Sequence, residues 1–364
     1  MDDCCVKWSN QLQAAALADT RHAGTMVTMN AETATPNTPV EPPTDPYHAG
    51  EQALQARVGM RQRLAEVGSL VVRDHMPGPH RELFHKLPFV VIGSVDAEGQ
   101  PHASLLAGAP GFVRTPDVRT MAIDARVDTA DPLHASLRAG ASVGVLGIEP
   151  HTRRRNRMNG LVRSAQTDGF TLQVQQSFGN CPKYIQGRHA RWVDDASQPV
   201  VAQRMAQLDL AAASLVRGAD TFFIATAVPP AQIGASAAHG VDVSHRGGKP
   251  GFVRVQRDAE GVDVLTVPDF AGNQMFNTLG NLQLHPRAGL LFVDFARGDR
   301  LHVAVDTELL WQGDELAAFA GAQRLLRMRV REAWRLSGGA RLAWSEPVLS
   351  PFLQDTGTWQ DIRG

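Results

Sequence analysis

The chain has 364 residues, of which 43% are hydrophobic and 20% charged, the proportions of a globular protein large enough for two domains. Its 36 Lys+Arg and 37 Asp+Glu give a formal charge of −1, so no global field draws nucleic acid or an anionic membrane, and any anion site must be a local cluster. Three cysteines are too few for a disulfide framework or a structural zinc site and point to a reducing, cytoplasmic setting.

No run approaches the ~18 apolar residues of a membrane helix. The stretch Ala14–Ala18 is shorter than a secretory h-region and follows two aspartates. Residues 1–48 read as a disordered tail: Pro36, Pro39, Pro42, Pro43 and Pro46 stand among Thr, Glu and Asn, with too little apolar surface to offset ordering. Order is expected from about Gly50, and a chain starting near His48 is expected to fold. Helices are predicted over Glu51–Val67 and His80–Leu87, then a buried strand Phe89–Val95, a hairpin turn at Asp96–Gly99 and a return strand to Leu106.

The strongest feature is an internal repeat. Pro101–Arg114 aligns with Val241–Arg254 at an offset of 140, with Ser104/Ser244, Gly108/Gly248 and Pro110–Arg114/Pro250–Arg254 identical. The offset then becomes 145, pairing Asp124 with Asp269, Leu137 with Leu282, Gly144 with Gly289 and Leu146 with Leu291. Strand Phe89–Val95 has its counterpart in Thr221–Ala227, and a helix over Val201–Val216 is expected to precede the second copy. Each copy reads helix, strand, turn, three strands, helix, two strands. In the second these include strand Val264–Val267, helix Asn273–Leu284 and the strand pair Leu290–Phe295 and Leu301–Val305. The expected fold is mainly β with α (α+β): two tandem split β-barrels forming a pseudo-dimer, with a first copy at 49–198, including a helical connector, and a second at 199–364.

Four segments carry chemistry. In Val241–Lys249, strand alternation puts Ser244 and Arg246 on one face, and Lys249 follows two glycines. Hydroxyl, guanidinium and ammonium together suit a phosphate monoester; alone, the fragment reads rather as an exposed strand end with ordinary surface charges. In Val267–Leu282 a strand ends, a Gly-bearing turn follows, and a helix starts near Asn273, which would cap it while Asn277 donates to the same anion. In Thr152–Gly160, Arg153, Arg155, Arg157 and Asn159 share a strand face, and three guanidiniums in a row call for an anion or for carboxylates. In Gln175–Arg188, Ser177 or Asn180 is expected to cap a helix with Cys181 at its start. The polar run of Asn180, Lys183, Tyr184 and Arg188 is unusual for a connector. The 13 histidines have no zinc spacing, and no Rossmann or P-loop glycine pattern is present.

The first two segments, with Leu282-Gln-Leu-His-Pro-Arg-Ala-Gly-Leu-Leu-Phe-Val-Asp294, resemble the pyridoxamine 5′-phosphate oxidase-like, FMN-binding split-barrel family. The resemblance spans about residues 50–345 in two copies. It implies FMN held at its phosphate by a basic strand motif, matched by Arg246 and Lys249, and by a turn before the helix, where Asn273 and Asn277 stand. The family's usual Ser and Lys in that turn are here amide and apolar residues. It further implies Ser244, His245, Asp269, Arg155, Arg157, Asn159, Asn180 and Arg188 as cofactor contacts. Where the second copy has Arg246, Lys249, Asn273 and Asn277, the first has Leu106, Ala109, Asp128 and Pro132. A single FMN per chain follows, in the second copy.

The implied activity is FMN-dependent oxidoreduction of a small substrate, anionic in one reading; the alternative is a non-catalytic flavin- or haem-binding protein. His245 and Tyr184 are the candidate catalytic groups. The C-terminal Arg- and His-bearing motif of pyridoxamine phosphate oxidases proper is not seen. No metal, nucleic-acid or membrane partner is expected, and the assembly is a monomeric pseudo-dimer or a homodimer.

Overall fold

The computed structural model describes residues 45–194, 199–338 and 341–362. The expected tail lies, up to residue 44, outside the described residues. Its expected boundary moves, because Tyr47 and His48 are both 3% exposed and belong to the folded body. Three helices come first: α1 (Ala49–Arg57), α2 (Arg61–Val71) and α3 (Gly78–Lys86). His48 caps α1 and Glu51 answers its backbone N–H, a capping box that fixes the chain's entry.

The fold is α+β and dominated by sheet. The first seven-stranded sheet contains β1 (Phe89–Val95), β2 (Pro101–Ala107), β3 (Val113–Asp117), β4 (Thr120–Ile123), β5 (Ser142–Glu149), β6 (Arg154–Gln166) and β7 (Gly169–Gly179), with α4 (Pro132–Ser136) between β4 and β5. Their spatial order is β2-β1-β5-β6-β7-β4-β3. After β8 (Ala190–Trp192), β9 (Val201–Met205) and α5 (Leu210–Gly218), a second sheet contains β10 (Thr221–Ala227), β11 (Val241–Gly247), β12 (Arg254–Arg257), β13 (Asp263–Phe270), β14 (Arg287–Val293), β15 (Arg300–Leu310) and β16 (Ala322–Ser337). It runs β11-β10-β14-β15-β16-β13-β12, position for position the same path. Here α6 (Asn277–Leu284) stands where α4 stands in the first sheet, and α7 (Asp314–Ala318) and β17 (Leu342–Trp344) follow.

Three strands follow the embedded helix in each half, not the expected two, because β7 and β16 continue the meander. The helix expected over Val201–Val216 divides. Val201–Met205 pairs with β16 as an edge strand, and Asp209, accepting from the Ala212 N–H, starts the helix at Leu210.

Strands β1 and β10 are apolar on both faces because both faces are covered. Val90 and Ile92 enter the first barrel's core, and Phe222 and Ile224 the second's. Phe89, Val91, Phe223 and Ala225 enter a third cluster between the sheets. Gly144 and Gly289, paired by the repeat, do equivalent work there: a Cβ on Gly144 would collide with the Val241 carbonyl, and one on Gly289 with the Pro101 carbonyl. Helix α1 does not stay with the half it precedes. It crosses α6 where Gly50 faces the Gly280 carbonyl, too close for any side chain. Among the described residues no helix is long and apolar enough to cross a membrane.

Candidate functional site

A cleft of about 130 Å³ opens where β6 and the segment after β7 meet β11, β13, the start of α6 and β16. Arg155, Arg157, Asn180, Ser244, His245, Arg246, Asp269, Asn273, Asn277 and Tyr184 all line it, so the structure brings most of the expected residues together. They come from both halves of the chain.

Asp269 is the pivot of one end. Arg246 Nη1 donates to its Oδ1, and Arg324 Nε lies 3.2 Å from its Oδ2. Two guanidiniums share one carboxylate, leaving a net positive charge. Arg246 Nε and Arg324 Nη1 are buried and without a hydrogen-bond partner. Sequence reasoning missed Arg324, which sits directly across from Asp269 in the β13–β16 register. Its signal was parity: Arg327, Arg329 and Arg331 alternate along one face of β16, and Arg324 breaks that alternation.

Arg155 and Arg157 point the same way from β6, as alternation predicts. Arg155 donates to the carbonyls of Cys181 (2.9 Å) and His245 (3.3 Å). Among the described residues it has no carboxylate partner, and burial pulls its guanidinium down to about 10. Arg157 is neutralised by Asp242 at 3.0 Å and also donates to Ser244 Oγ. Arg153 does not join them: it ends a 3-10 turn in the left-handed region, φ 56°, and donates to the Ile185 carbonyl.

Four expectations change. Asn159 lies behind the cleft, donating to Asp242 Oδ1 at 2.8 Å. Lys249 leaves it altogether and ties down the C-terminal segment through the Thr356 carbonyl. Arg188 is spent on Asp220 in a two-pronged pair of 3.0 and 2.7 Å and stacks 4.1 Å over Phe295. Asn273 does not cap the helix. Its Oδ1 accepts from the Met275 N–H, and α6 begins three residues later than the cap position implied, behind Phe276 at φ 65°.

The expected helix after Ser177 is absent. Ser177 belongs to β7, and residues 181–188 form no helix: the chain turns at Lys183–Tyr184 beside β11, where Gly247 admits the Tyr184 carbonyl. Tyr184 (φ 62°), Gln274 (φ 59°) and Phe276 all hold left-handed backbone beside the cleft. Such conformations cost of order 1–3 kcal/mol each and gather where a site needs them.

His245 borders both the cleft and an apolar slot with Phe89, Phe223 and Trp344. Burial, with Arg155, Arg246 and Arg188 nearby, holds its imidazole well below the ordinary range, so it is neutral at pH 7. Tyr184 packs 5.1 Å from Phe270, forming an aromatic rim. Beneath the floor, Asp242 also accepts from Asn281 Nδ2 (3.1 Å), whose Oδ1 meets His48 Nε2 at 2.9 Å. Asp242, His48 and Glu51 carried no motif in the sequence. Among the described residues no group of three His, Cys, Asp or Glu side chains is placed to hold a metal ion.

The register also identifies what stands at the equivalent place in the other half. Gly144 faces Asn159 and Gly289 faces Ala304, so Arg155 corresponds to Arg300 and Arg157 to His302. There His302 stacks on Trp334 at 5.3 Å, and Ser104 donates to Asp131.

Comparison with known proteins matches residues 76–204 to the family described as pyridoxamine 5′-phosphate oxidase. Among solved structures, HupZ of Group A Streptococcus is 12% identical over 29% of this chain and 93% of its own, with a TM-score of 0.24. An FMN-binding protein from Syntrophomonas wolfei is 12% identical over 34% and 96%, TM-score 0.21. MrkH of K. pneumonia, in complex with c-di-GMP, is 9% identical over 69% and 81%, TM-score 0.21. No curated protein matches the chain. The family match takes in Arg155, Arg157 and the Asn180–Tyr184 wall of the cleft and stops before β11.

Proposed function

We propose that the cleft binds FMN and that the chain is a flavin-dependent oxidoreductase built from two split-barrel copies, the first with a degenerate site, so that a single site works. The observation that carries this is the Arg246–Asp269–Arg324 cluster: two guanidiniums on one carboxylate, with buried nitrogens still lacking acceptors. A phosphate supplies those acceptors, and guanidinium forks suit it. Asn180 Oδ1, buried and without a partner in the same cleft, supplies an acceptor for the ligand's hydroxyl or N–H groups.

Bound there, FMN would supply the hydride or electron transfer. The chain's own groups would bind and orient it. Arg246 and Arg324 hold the phosphate end, Tyr184 and Phe270 cover an edge, and Arg155 leaves a positive charge for an anionic substrate group. His245, buried with its imidazole held well below the ordinary range, would serve as a hydrogen-bonding group and not as a cationic acid. In the other half, Trp334 against His302 fills the corresponding place, which supports one cofactor per chain.

The test is a visible spectrum of the purified protein followed by flavin titration. Bands of oxidised flavin saturating at one FMN per chain are expected. A Soret band in their place favours the haem-binding alternative, and two flavins per chain would refute the single-site reading.

A further inference from the structure

Asn277 stands at the first turn of α6 on the cleft wall, and its side-chain Nδ2 donates to Glu51 Oε1 at 2.6 Å. Glu51 comes from α1, across the Gly50–Gly280 crossing, and is 3% exposed. Its other oxygen, Oε2, accepts from the His48 main-chain N–H at 2.9 Å. An ionised carboxylate can only accept. With both oxygens engaged in that way, the Asn277 NH₂ must face Glu51, and its carbonyl Oδ1 is left for the cleft. The sequence expectation, that Asn277 donates to an anion, is thereby reversed.

We propose that Glu51 is a positioning residue that sets the hydrogen-bond polarity of Asn277, so that this point of the cleft reads an N–H or O–H donor on the ligand. The inference rests on the flavin reading and narrows it: the anionic end belongs at Arg246 and Arg324, and a neutral donor-bearing part belongs at Asn277. If Glu51 takes up a proton, Oε1 must donate, Asn277 turns over, and its NH₂ faces the cleft instead.

The groups facing Glu51 set when that happens. On its own segment are Tyr47 and His48, whose Nε2 lies 3.6 Å from Oε2; from β11 comes Asp242, from β6 Arg157, and from α6 Asn277. Burial and then Asp242 raise the carboxyl well above its ordinary range.

The experiment measures FMN and riboflavin affinity by fluorescence between pH 5 and 9, for the full chain and for Glu51→Gln and Asn277→Ala. In the Glu51→Gln variant the new side-chain oxygen must face the His48 N–H, which leaves the amide NH₂ to donate to Asn277 as protonated Glu51 would. For the unsubstituted chain, affinity for both flavins should rise about tenfold with pH, the worth of one hydrogen bond. Glu51→Gln should stay at the low-pH affinity throughout, and Asn277→Ala should lose the pH response. A response that survives either substitution, is confined to FMN, or runs in the opposite direction overturns the proposal. The side-chain amide resonances of Asn277 in the flavin-free protein give a separate readout. If they titrate, and Glu51→Gln abolishes the titration, the coupling stands even where no flavin binds and the flavin reading fails alone.

Discussion

Arg157 of the first half and Asp242 of the second meet at 3.0 Å, with side chains 5% and 10% exposed. The pair locks β6 to β11 under the cleft, and Asn159 and Asn281 also donate to Asp242, at Oδ1 and Oδ2. Breaking a buried pair leaves an uncompensated charge, which is costlier than replacing both partners with apolar groups. Asp242→Ala should therefore destabilise the protein by about 3–5 kcal/mol in urea unfolding. The double variant Arg157→Met with Asp242→Leu should recover at least half of that loss. Equal stability of the single and double variants would show that the pair contributes through shape alone.

Arg246→Ala and Arg324→Ala should each weaken FMN binding by about tenfold to a hundredfold, since a hydrogen bond to a charged group contributes roughly 1.5–3 kcal/mol. Either change leaves Asp269 with one guanidinium and removes the net positive charge. Riboflavin, lacking the phosphate, should bind almost as before. Arg114, exposed and paired with Asp124, is the control, and Arg114→Ala should not distinguish the two flavins. Equal losses for FMN and riboflavin on Arg246→Ala would move the phosphate to Arg155.

His302 gives a pH signature of stability. Burial lowers its imidazole from 6.5 to about 4, with Asp131 partly opposing. The unfolded chain takes up a proton below pH 6.5 that the folded chain refuses until about pH 4, so this group's contribution falls as pH drops through that window. The span corresponds to about 3 kcal/mol. Glu51, shifted upward, acts in the opposite sense, so the difference between proteins is the informative quantity. His302→Asn should lose less stability than the unsubstituted chain between pH 7 and 5, read as urea midpoints. An unchanged difference would place the proton elsewhere.

The folded body's first residues set where truncation begins to hurt. A chain starting at Asp45 keeps Tyr47, His48 and the Arg61–Asp45 ion pair, and should melt with the full chain. One starting at Gly50 loses two buried side chains and the cap of α1. A loss of several kcal/mol, or roughly 5–10 °C in melting temperature, is expected. Coincident melting of all three chains would contradict the burial of Tyr47.

Much of the barrel scheme was legible because β1 and β10 are short apolar runs and the glycines of the repeat mark close backbone approach. The cleft was half legible. Arg155, Arg157, Arg246 and Asp269 could be found from strand parity and the repeat, since local alternation sets where such side chains point. Lys249 and Arg188 could not be sorted from them, because their partners, Thr356 and Asp220, lie 107 and 32 residues away. Glu51 was invisible for the same reason: only the packing of Gly50 on Gly280 brings it to α6. Asn273 misled because the left-handed turns at Gln274 and Phe276 delay the helix, and neither residue type announces such a turn.

The cleft takes walls from β6 and from β11 of one continuous chain. A site shared between separate subunits comes apart on dilution, and its occupancy then follows protein concentration. Here the two walls are tethered, so the cleft should be as complete at nanomolar protein as at millimolar. Each wall can also change alone: a substitution in β6 reaches the cleft once, whereas in a symmetric pair of identical chains it would strike both sites together.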